Sequence, residues 1–451
     1  MDYIFFFVIT IAILVFVHEF GHFAAAKLSK MRVDIFAIGF GKRLLGWNKI
    51  KGFTFGDLPK DWDGDGNTDY RLCLLPLGGY VKIAGMVDES FDTKFAAEEP
   101  KPYEFRAKST LAKLFVITAG VMMNLTLAVL IFWGINFFQG KQVFKTTTIS
   151  NVESGSIAEQ IGFLSYDKIL AVNGKQMNDW DEVLEHLMMK NASTDAKVEI
   201  ERAGVQTAIT VSRKVMNQAL QKDFFIFPYP SKTIVGEVLK NSPAEDSGIK
   251  PGDEIIYMNN SFIHSAEQVL EIVQANKSNL IPVVILREQD TVRVSVKPSL
   301  EGLIGIKHGT VFTGEVEKRT YGLFGSMTQA VVNIGQYTVL TLSTLKNVIV
   351  GNVAFNQAFG GPVKIAQYAA KSADTGIIPF LYFLAMLSLS LAIINILPFP
   401  VLDGGHFVII LIEGIIKREI PVKVKIAVQN AGFVLLLMLM AFIIYSDLIS
   451  L

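Results

Sequence analysis

The chain has 451 residues, of which 51% are hydrophobic and 19% charged, and its 42 lysines and arginines balance its 42 aspartates and glutamates. Soluble domains carry roughly 25% charged residues, so this composition argues against a purely soluble protein, and it excludes a disordered chain, which combines low hydrophobicity with high net charge. Zero net charge argues against nucleic acid as a partner, and the one cysteine, Cys73, excludes an intramolecular disulfide framework and a Cys-x-x-Cys metal site.

Four apolar stretches hold the excess of hydrophobic residues: Tyr3–Val17, Leu114–Phe138, Ile377–Leu397 and Ala431–Tyr445, within predicted transmembrane segments at 1–26, 111–139, 376–406 and 426–451. A membrane-spanning helix needs about 20 apolar residues. The second and third stretches reach this length outright, whereas the first and fourth need their flanks. We therefore predict a polytopic α-helical membrane protein with four transmembrane helices.

The first stretch has an alternative interpretation as a signal peptide, because Ala24-Ala25-Ala26 resembles a small-residue cleavage site. Signal peptides begin with a basic region, whereas this chain begins Met-Asp. The apolar run also continues into a charged motif that is not a typical cleavage context. We expect an uncleaved span.

The first stretch ends in His18-Glu19-Phe-Gly-His22, the HExxH pattern. Residues i and i+4 share one face of a helix, so the two imidazoles can bind one Zn²⁺ while Glu19 serves as general base. The alternative is a pair of interfacial histidines at a helix end. Ionisable groups at the end of an apolar helix are costly and usually functional, which favours the zinc site.

Lysine and arginine mark the cytoplasmic side of a membrane protein. The segment 27–110 is rich in both, and the loop 407–425 carries four of them. Four spans place these two segments on one side, which we expect to be cytoplasmic. The segment from about Gly140 to Gly325 and both termini would then lie on the other face, which in the inner membrane of a two-membrane bacterium would be periplasmic.

Part of the segment 27–110 matches the start of an EF-hand calcium loop, from Asp61 to Asp69. Position 12 of the loop is Leu72, however, where the motif needs a bidentate glutamate. The flanking residues are typical of strands and not of helices. An acidic hairpin turn is the alternative, and the pattern favours it.

The segments 140–220 and 221–305 contain an internal repeat with an offset of 86 residues, as from Asp167 to Asp253. Each copy predicts an α+β domain. The second copy resembles the PDZ domains of bacterial envelope proteases, and the first resembles them more weakly. PDZ domains bind extended peptides at a sheet edge and often capture a C-terminal carboxylate. The alternative is that the copies only pack and exclude bulky molecules.

The segment 306–375 carries apolar residues at helical spacing between 321 and 357. This pattern predicts an amphipathic helix on the far membrane surface. Packing of the same helix against the two repeat copies is the alternative.

A catalytic zinc ion needs a third protein ligand and an open position. The third stretch contains Asn395-Ile-Leu-Pro398-Phe-Pro400-Val-Leu-Asp403-Gly-Gly. Spans one and three end at the same leaflet, so Asp403 can reach the two histidines near the cytoplasmic surface. The alternative for Asp403 is a simple Asp-Gly-Gly turn at the membrane surface.

HExxH on a first span with NxxPxPxxDGG on a later span resembles the site-2 protease family of intramembrane zinc metalloproteases. The repeats between spans two and three narrow the resemblance to its regulator of sigma-E protease group. Nearly the whole chain is covered, and further matches are Gly39-Phe40-Gly41, Pro76–Lys82 and Gly361–Ala366.

The resemblance implies that His18, His22 and Asp403 bind Zn²⁺ and that Glu19 is the catalytic base. It also implies a small membrane-associated β-sheet and a membrane-reentrant β-hairpin. The residues implied to contact the substrate are Asn395, Pro398, Gly39, Phe40, Gly41, Gly78, Gly79, Tyr80 and Val81. Tight turns in a cytoplasmic sheet are the alternative for the glycine-containing segments. The implied substrates are transmembrane proteins such as anti-sigma factors, or remnant signal peptides.

Two other classes of function compete with a protease. A non-catalytic membrane scaffold that presents PDZ domains would not need a complete HExxH and Asp403 set. A transporter would show paired broken helices, which the four stretches lack. We therefore predict a zinc metalloendopeptidase whose partners are the lipid bilayer and a transmembrane substrate.

Overall fold

Four helices of the computed structural model are long and apolar enough to cross a membrane. The candidate spans are Tyr3–Leu28, Thr110–Phe138, Ile377–Asn395 and Val422–Tyr445. The prediction of four spanning helices is confirmed by length and composition. The structure describes residues 2–59, 64–86, 99–152, 155–189, 195–212, 215, 226–263, 265–351 and 360–449.

The chain divides into two units, one formed by Met1–Gly140 with Thr320–Leu451 and the other by Lys141–Arg319. The helices of the described residues are, in chain order, α1 (Asp2–Leu28), α2 (Thr110–Phe138), α3 (Ile157–Ile161), α4 (Trp180–Leu184), α5 (Pro243–Asp246), α6 (Ala266–Ala275), α7 (Leu323–Ile349), α8 (Pro362–Thr375), α9 (Ile377–Asn395), α10 (Asp403–Ile416) and α11 (Val422–Ile449). The strands are β1 (Val33–Asn48), β2 (Gly52–Phe55), β3 (Asp69–Ile83), β4 (Lys141–Phe144), β5 (Lys168–Val172), β6 (Lys175–Gln176), β7 (Ala196–Arg202), β8 (Val205–Val211), β9 (Ser231–Val238), β10 (Glu254–Met258), β11 (Ser261–Phe262), β12 (Ile281–Arg287), β13 (Asp290–Val296), β14 (Ile306–Phe312) and β15 (Val316–Arg319).

In the first unit, α1 and α2 approach closely because small residues line their crossing. A Cβ atom added to Gly21 would lie 2.4 Å from the carbonyl oxygen of Ala119. Membrane helices gain little from the hydrophobic effect, so close backbone packing at small residues stabilises their association. This crossing presses the end of α1, which carries the HExxH motif, against α2.

The sheet of the first unit consists of β1, β2 and β3, and β1 bends in its middle at two glycines of positive φ, Gly39 and Gly41. The register gives Phe36 two partners, Val81 and Tyr70. The segment 33–38 therefore lies between the two halves of β3. The half at 79–83 is an outer edge, and no strand of the described ranges pairs with its other side.

A buried arginine ties the sheet together. Arg43 is 3% exposed, its Nε lies 3.2 Å from the Oδ2 of Asp69, and its Nη1 donates to the carbonyl oxygen of Gly56 at 2.7 Å. Arg71 Nε lies 2.8 Å from the same Asp69 oxygen. These ion pairs engage the last acidic residue of the calcium-like loop, which supports the hairpin-turn interpretation; Asp61 and Asp63 lie outside the described residues.

Replacing Arg43 with methionine is expected to destabilise the sheet by about 3 kcal/mol. This is the lower end for breaking a buried ion pair, because Arg71 still pairs with Asp69. Amide hydrogen exchange of peptides from β1 and β3 measures the opening free energy. The exposed neighbour Lys42 provides the control, since Lys42→Met should change the opening free energy by less than about 0.5 kcal/mol. Equal losses in both variants would contradict the assigned role.

In the second unit the internal repeat is visible as two similar sets of elements. The strands β5 and β6 of the first copy return as β10 and β11, displaced by 86 residues from Lys168 to Glu254. Arg202 Nη2 donates to the carbonyl oxygen of Gly162 at 2.7 Å, and Arg287 makes the same bond to Gly248 at 2.7 Å. The duplication is thus preserved in side-chain contacts, while the PDZ resemblance of the copies stays a prediction.

The second unit begins and ends at one place, because β4 pairs antiparallel with β15. The first copy forms the sheet β6-β5-β7-β8, and the second forms β13-β12-β10-β9-β14 with β11 beside β10. Each copy has its own cluster of buried apolar side chains. The repeat therefore folds as two cores joined in sequence.

The segment 306–375 contains the helix α7, which makes contacts that the sequence did not predict, while its placement at the membrane surface stays a prediction. The residues Ala330 and Ile334 of α7 pack with Phe132 of α2 and Leu389 of α9 in one buried cluster. Trp133 also donates its indole N–H to the carbonyl oxygen of Leu323 at 3.1 Å. The apolar face of α7 thus packs on two spanning helices within the first unit.

The structure also differs from the loop expected at 407–425. The chain is helical as α10 up to Ile416, turns at Lys417 with φ +52°, and begins α11 at Val422. The reason lies in the sequence, since its four basic residues all follow Ile416 and the preceding run is apolar. The third apolar stretch is likewise two helices, because α9 ends at Asn395 and α10 starts at Asp403.

Candidate metal centre

Three side chains predicted as metal ligands converge in the first unit. The Nε2 atoms of His18 and His22 lie 3.2 Å apart. The Oδ2 atom of Asp403 lies 3.2 Å from the first and 3.4 Å from the second. Among the residues that the structure describes, this is the group of histidine and acidic side chains whose donor atoms are close enough to hold one metal ion.

The spacing of these donors suits zinc. Nitrogen and oxygen ligands at zinc distances of about 2.0–2.2 Å in a tetrahedron lie roughly 3.3 Å from each other. The three observed separations, 3.2, 3.2 and 3.4 Å, match that edge length. Two imidazoles and one carboxylate are also the donor set of catalytic zinc sites, which leave the fourth position open.

The second helix orients His22. Its Nδ1 atom lies 2.9 Å from the carbonyl oxygen of Val116 on α2. A carbonyl can only accept, so Nδ1 carries the proton and Nε2 presents its lone pair to the centre. Such a bond from the distal ring nitrogen is the usual support of a metal-binding histidine.

A glycine on α2 makes room for both imidazoles. A Cβ atom added to Gly120 would lie 2.4 Å from the Nε2 of His22 and 2.9 Å from the Nε2 of His18. Any side chain here would therefore occupy the space of the donor atoms. The backbone of α2 forms one wall of the metal centre.

The connection from α9 to α10 places the third ligand. Asp403 is the first residue of α10, and Cβ atoms added to Gly404 and Gly405 would lie 2.2 and 2.3 Å from the carbonyl oxygens of Leu397 and Phe399. The two glycines thus allow the helix to start against the preceding turn. Val401 has φ +83°, a strained conformation for a β-branched residue that typically occurs at functional sites.

The predicted base lies in the same cavity as the metal ligands. A cavity of about 70 Å³ is lined by Glu19, the three ligands, Val401, His406 and apolar side chains. Glu19 also borders the outer sheet edge, since a Cβ added to Gly79 would lie 3.0 Å from its Cγ. The structure therefore brings the carboxylate, the donor atoms and the free strand edge together.

The predicted substrate-contacting residues are not all at this cavity. Val81 lines it and Gly79 borders Glu19. Within the described part of the chain, Asn395 and Pro398 do not line it, and Asn395 is the last residue of α9. The other glycines and aromatic residues form the bend of the sheet: Gly39, Phe40, Gly41, Gly78 and Tyr80.

The contacts within the bend explain its glycines. The Phe40 and Tyr80 rings stack with centroids 6.1 Å apart. A Cβ added to Gly78 would lie 2.3 Å from the ring of Phe40. The bend is therefore close-packed, which agrees with the turn interpretation of these residues and leaves their role toward a substrate as a prediction.

Several residues of the centre were not predicted from the sequence, namely Val116, Gly120, Asn124, Val401 and His406. A polar residue within an apolar span is a functional signal, and Asn124 with Gly120 one turn before it could have been found in this way. The others act through a backbone carbonyl, a backbone angle or a cavity wall. Those contributions have no signature in a single sequence.

Comparison with known proteins shows what this chain is similar to. The sequence model of Peptidase family M50 matches residues 6–439. The chain is 28% identical to a regulator of sigma E protease of Haemophilus influenzae, over 99% of this chain and 98% of that protein. It is 30% identical to protease RseP of Yersinia pestis, over 98% and 97%. It is also 30% identical, over 98% and 97%, to a Vibrio cholerae protein named as a candidate zinc metalloprotease.

Proposed function

Because the chain belongs to peptidase family M50, we propose that it hydrolyses peptide bonds within the transmembrane segments of single-span membrane proteins. The chain is a zinc metalloprotease of the site-2 type, and its four apolar helices make it a bacterial membrane protein. The observation that supports the proposal is the position of the three metal-donor atoms of His18, His22 and Asp403. His18 and His22 lie on a spanning helix, beside a carboxylate and a free strand edge.

We assign His18, His22 and Asp403 as the residues that hold zinc. Zinc bound there would supply a Lewis acid able to lower the pKa of a bound water to about 7. The protein holds the three donor atoms within 3.4 Å of one another. This preorganisation comes from the bond of His22 to α2, the space at Gly120 and the Asp-Gly-Gly turn.

We assign Glu19 as the general base and acid. It lines the same cavity as the three ligands, and a carboxylate within one water of them can take a proton from the attacking water. The same oxygen can then return the proton to the leaving amine nitrogen. One side chain thus moves the proton in both halves of the hydrolysis.

The outer edge of β3 is the proposed site for the substrate backbone. A helical substrate hides its peptide bonds, and each backbone group freed in hydrocarbon costs several kcal/mol. Strand addition at an exposed edge supplies replacement hydrogen bonds. The edge at 79–83 reaches the cavity at Val81 and Glu19 at Gly79, so an added strand would lie next to the base. Asn395 and Pro398 would contact the substrate beyond this edge.

We further propose the sidedness and partners that charge and resemblance imply. The basic segment 27–110 would be cytoplasmic, with the centre near that leaflet of a bacterial inner membrane. The two repeat copies would be periplasmic PDZ domains that bind peptide C-termini or limit access by size. Anti-sigma factors are the favoured substrates, since relatives bear the name of sigma E regulators, and remnant signal peptides are the second class.

The full-length chain in proteoliposomes, with a single-span reporter tagged at both ends, tests this function. We expect cleavage within the span, mapped by mass spectrometry, that is lost on chelation and restored by zinc. Asp403→Asn should lose both zinc and cleavage, because the neutral amide does not replace the carboxylate, which is the anionic donor beside the two imidazoles. The exposed Asp374 gives a matched control, and Asp374→Asn should retain both.

Cuts confined to the soluble flanks of the reporter would refute the proposed substrate class. Cleavage that survives chelation would refute the assigned metal role. A chain that binds zinc at these residues but cuts no spanning reporter would favour the scaffold function instead.

A further inference from the structure

A cavity lies where the first turn of α2 meets the turn between α10 and α11. Its volume is about 310 Å³, which is room for about ten water molecules at roughly 30 Å³ each. Three cationic side chains line it, Lys113, Lys417 and Arg418, together with two acidic ones, Glu413 and Glu419. We call it the interfacial cavity; it belongs to the first unit and shares no residue with the metal centre.

The two acidic residues leave the interfacial cavity with an excess of positive charge. The Oε1 atom of Glu413 lies 2.6 Å from the Nζ of Lys425 and accepts from the backbone N–H of Ile420 at 2.8 Å. The side chain of Glu419 is 63% exposed, and its Oε1 lies 3.6 Å from the Nζ of Lys113. An exposed pair at this distance contributes little, so an anion that enters the cavity can replace Glu419.

The three cations differ in what balances their charge. Within the described part of the chain, neither Lys417 nor Arg418 forms an ion pair, and both are exposed. They follow the C-terminus of α10, whose negative dipole end favours basic residues. Lys113 has the opposite setting, because it lies at the positive N-terminal end of α2 with a side chain only 12% exposed. A bound anion would offset this unfavourable charge.

The surroundings of the interfacial cavity indicate which kind of anion reaches it. The apolar run of α2 begins directly after Lys113, and that of α10 ends directly before Lys417. Three apolar side chains next to the lining residues are exposed, Leu111 by 79%, Ile415 by 73% and Ile416 by 53%. In a membrane protein, a boundary between exposed apolar and basic residues lies at the level of the lipid headgroups. The site therefore offers apolar contacts for acyl chains beside cations for a phosphate.

We propose that the interfacial cavity binds the phosphate of an anionic phospholipid such as phosphatidylglycerol. Basic pockets between spanning helices bind anionic headgroups by the same charge attraction. The phosphate contacts Lys113 at the start of α2, and Lys417 with Arg418 just after α10. It thereby links two helices whose backbones already approach closely, since a Cβ added to Gly414 would lie 2.7 Å from the Cγ2 of Thr110. The lipid is a structural ligand of the first unit, and its binding does not depend on the peptidase reaction.

Lipid binding by the full-length protein in detergent tests the inference, by titration of the delipidated protein with phosphatidylglycerol in native mass spectrometry. One basic residue near an anionic lipid surface changes the affinity by about 5-fold. We therefore expect Lys417→Gln combined with Arg418→Gln to weaken phosphatidylglycerol binding by about 25-fold. The matched control is Lys49→Gln combined with Lys51→Gln, a second exposed basic pair of the first unit, which should keep wild-type affinity.

A gain of affinity provides a readout that damage to the fold would not produce. Glu419→Gln removes the carboxylate that competes for Lys113, so we expect phosphatidylglycerol to bind about 5-fold more tightly, by the same charge attraction. Glu99→Gln is the same change at another exposed position of the first unit and should leave the affinity unchanged. An unchanged affinity in Glu419→Gln, or an equal gain in Glu99→Gln, would contradict the proposed site.

The choice of probe separates a lipid site from a site for any phosphate. Phosphatidylethanolamine, which has no net charge, should bind more weakly than phosphatidylglycerol. Inorganic phosphate should displace phosphatidylglycerol no better than chloride at the same ionic strength, because it has no acyl chains. Equal binding of the two lipids, or specific displacement by inorganic phosphate, would overturn the inference. Equal losses in the two double variants would do the same, because general surface charge would then explain both.

Discussion

Replacing Glu19 with glutamine is expected to lower reporter cleavage by about 10²–10⁴-fold, the usual contribution of a general base, while zinc stays bound. Glutamine has the shape of glutamate but cannot take a proton at neutral pH. The three donor atoms come from other residues, so zinc affinity should not fall. Cleavage rate and zinc content measured on the same preparation separate the two effects.

The exposed Glu99 provides the control for a change of charge, and Glu99→Gln should match the wild type in both measurements. Wild-type cleavage by Glu19→Gln would remove Glu19 from the mechanism, since another group would then move the proton. Loss of zinc together with cleavage would instead make Glu19 part of the metal site. The two failures are distinguishable because the reporter and the metal are measured separately.

Much of the metal centre could be predicted because it follows from the periodicity of a helix and from the direction of each span. His18 and His22 share a helix face by their spacing, and Asp403 joins them because spans one and three end at the same leaflet. These two steps need only helix geometry and the direction of each span. The observed distances of 3.2 and 3.4 Å from Asp403 are consistent with both steps.

The residues of α2 that line the metal centre could not be predicted, because they depend on how α1 crosses α2. The apolar span of α2 offers many residues to α1, and only packing selects Val116, Gly120 and Asn124 as the ones that face the imidazoles. Hydropathy is nearly uniform along both helices, so it carries no information on their rotation. A polar residue such as Asn124 is the exception that hydropathy does reveal.

The sheet shows a second limit of sequence reasoning. The family resemblance implies a β-hairpin near Gly39 and a strand near Gly79, but not that β1 and β3 both bend and interlock. The register that pairs Phe36 with both Val81 and Tyr70 follows from that bend. Since the bend decides which edge stays free, the position proposed for the substrate depends on tertiary contacts.

Substituting alanine for Gly120 tests directly whether the backbone of α2 determines the space available to the two imidazoles. The new Cβ would lie 2.4 Å from His22 Nε2 and 2.7 Å from His18 Cε1, so one methyl group must displace both imidazoles or separate the helices. A metal site tolerates deviations of only about 0.2 Å in ligand distance. We expect zinc affinity to fall by at least about 100-fold, the upper end for changes outside the ligands, and cleavage to be lost with it.

The same helix supplies the matched control for this substitution. A Cβ added to Gly134 meets nothing within 4 Å, so Gly134→Ala should keep zinc and cleavage while stabilising the helix by about 0.5–1 kcal/mol. Chelator competition and the spanning reporter measure both variants. Zinc binding by Gly120→Ala at wild-type affinity would mean that α2 can withdraw from α1 without cost. The centre would then be held by α1 and the Asp-Gly-Gly turn alone, and the support assigned to Val116 would fail with it.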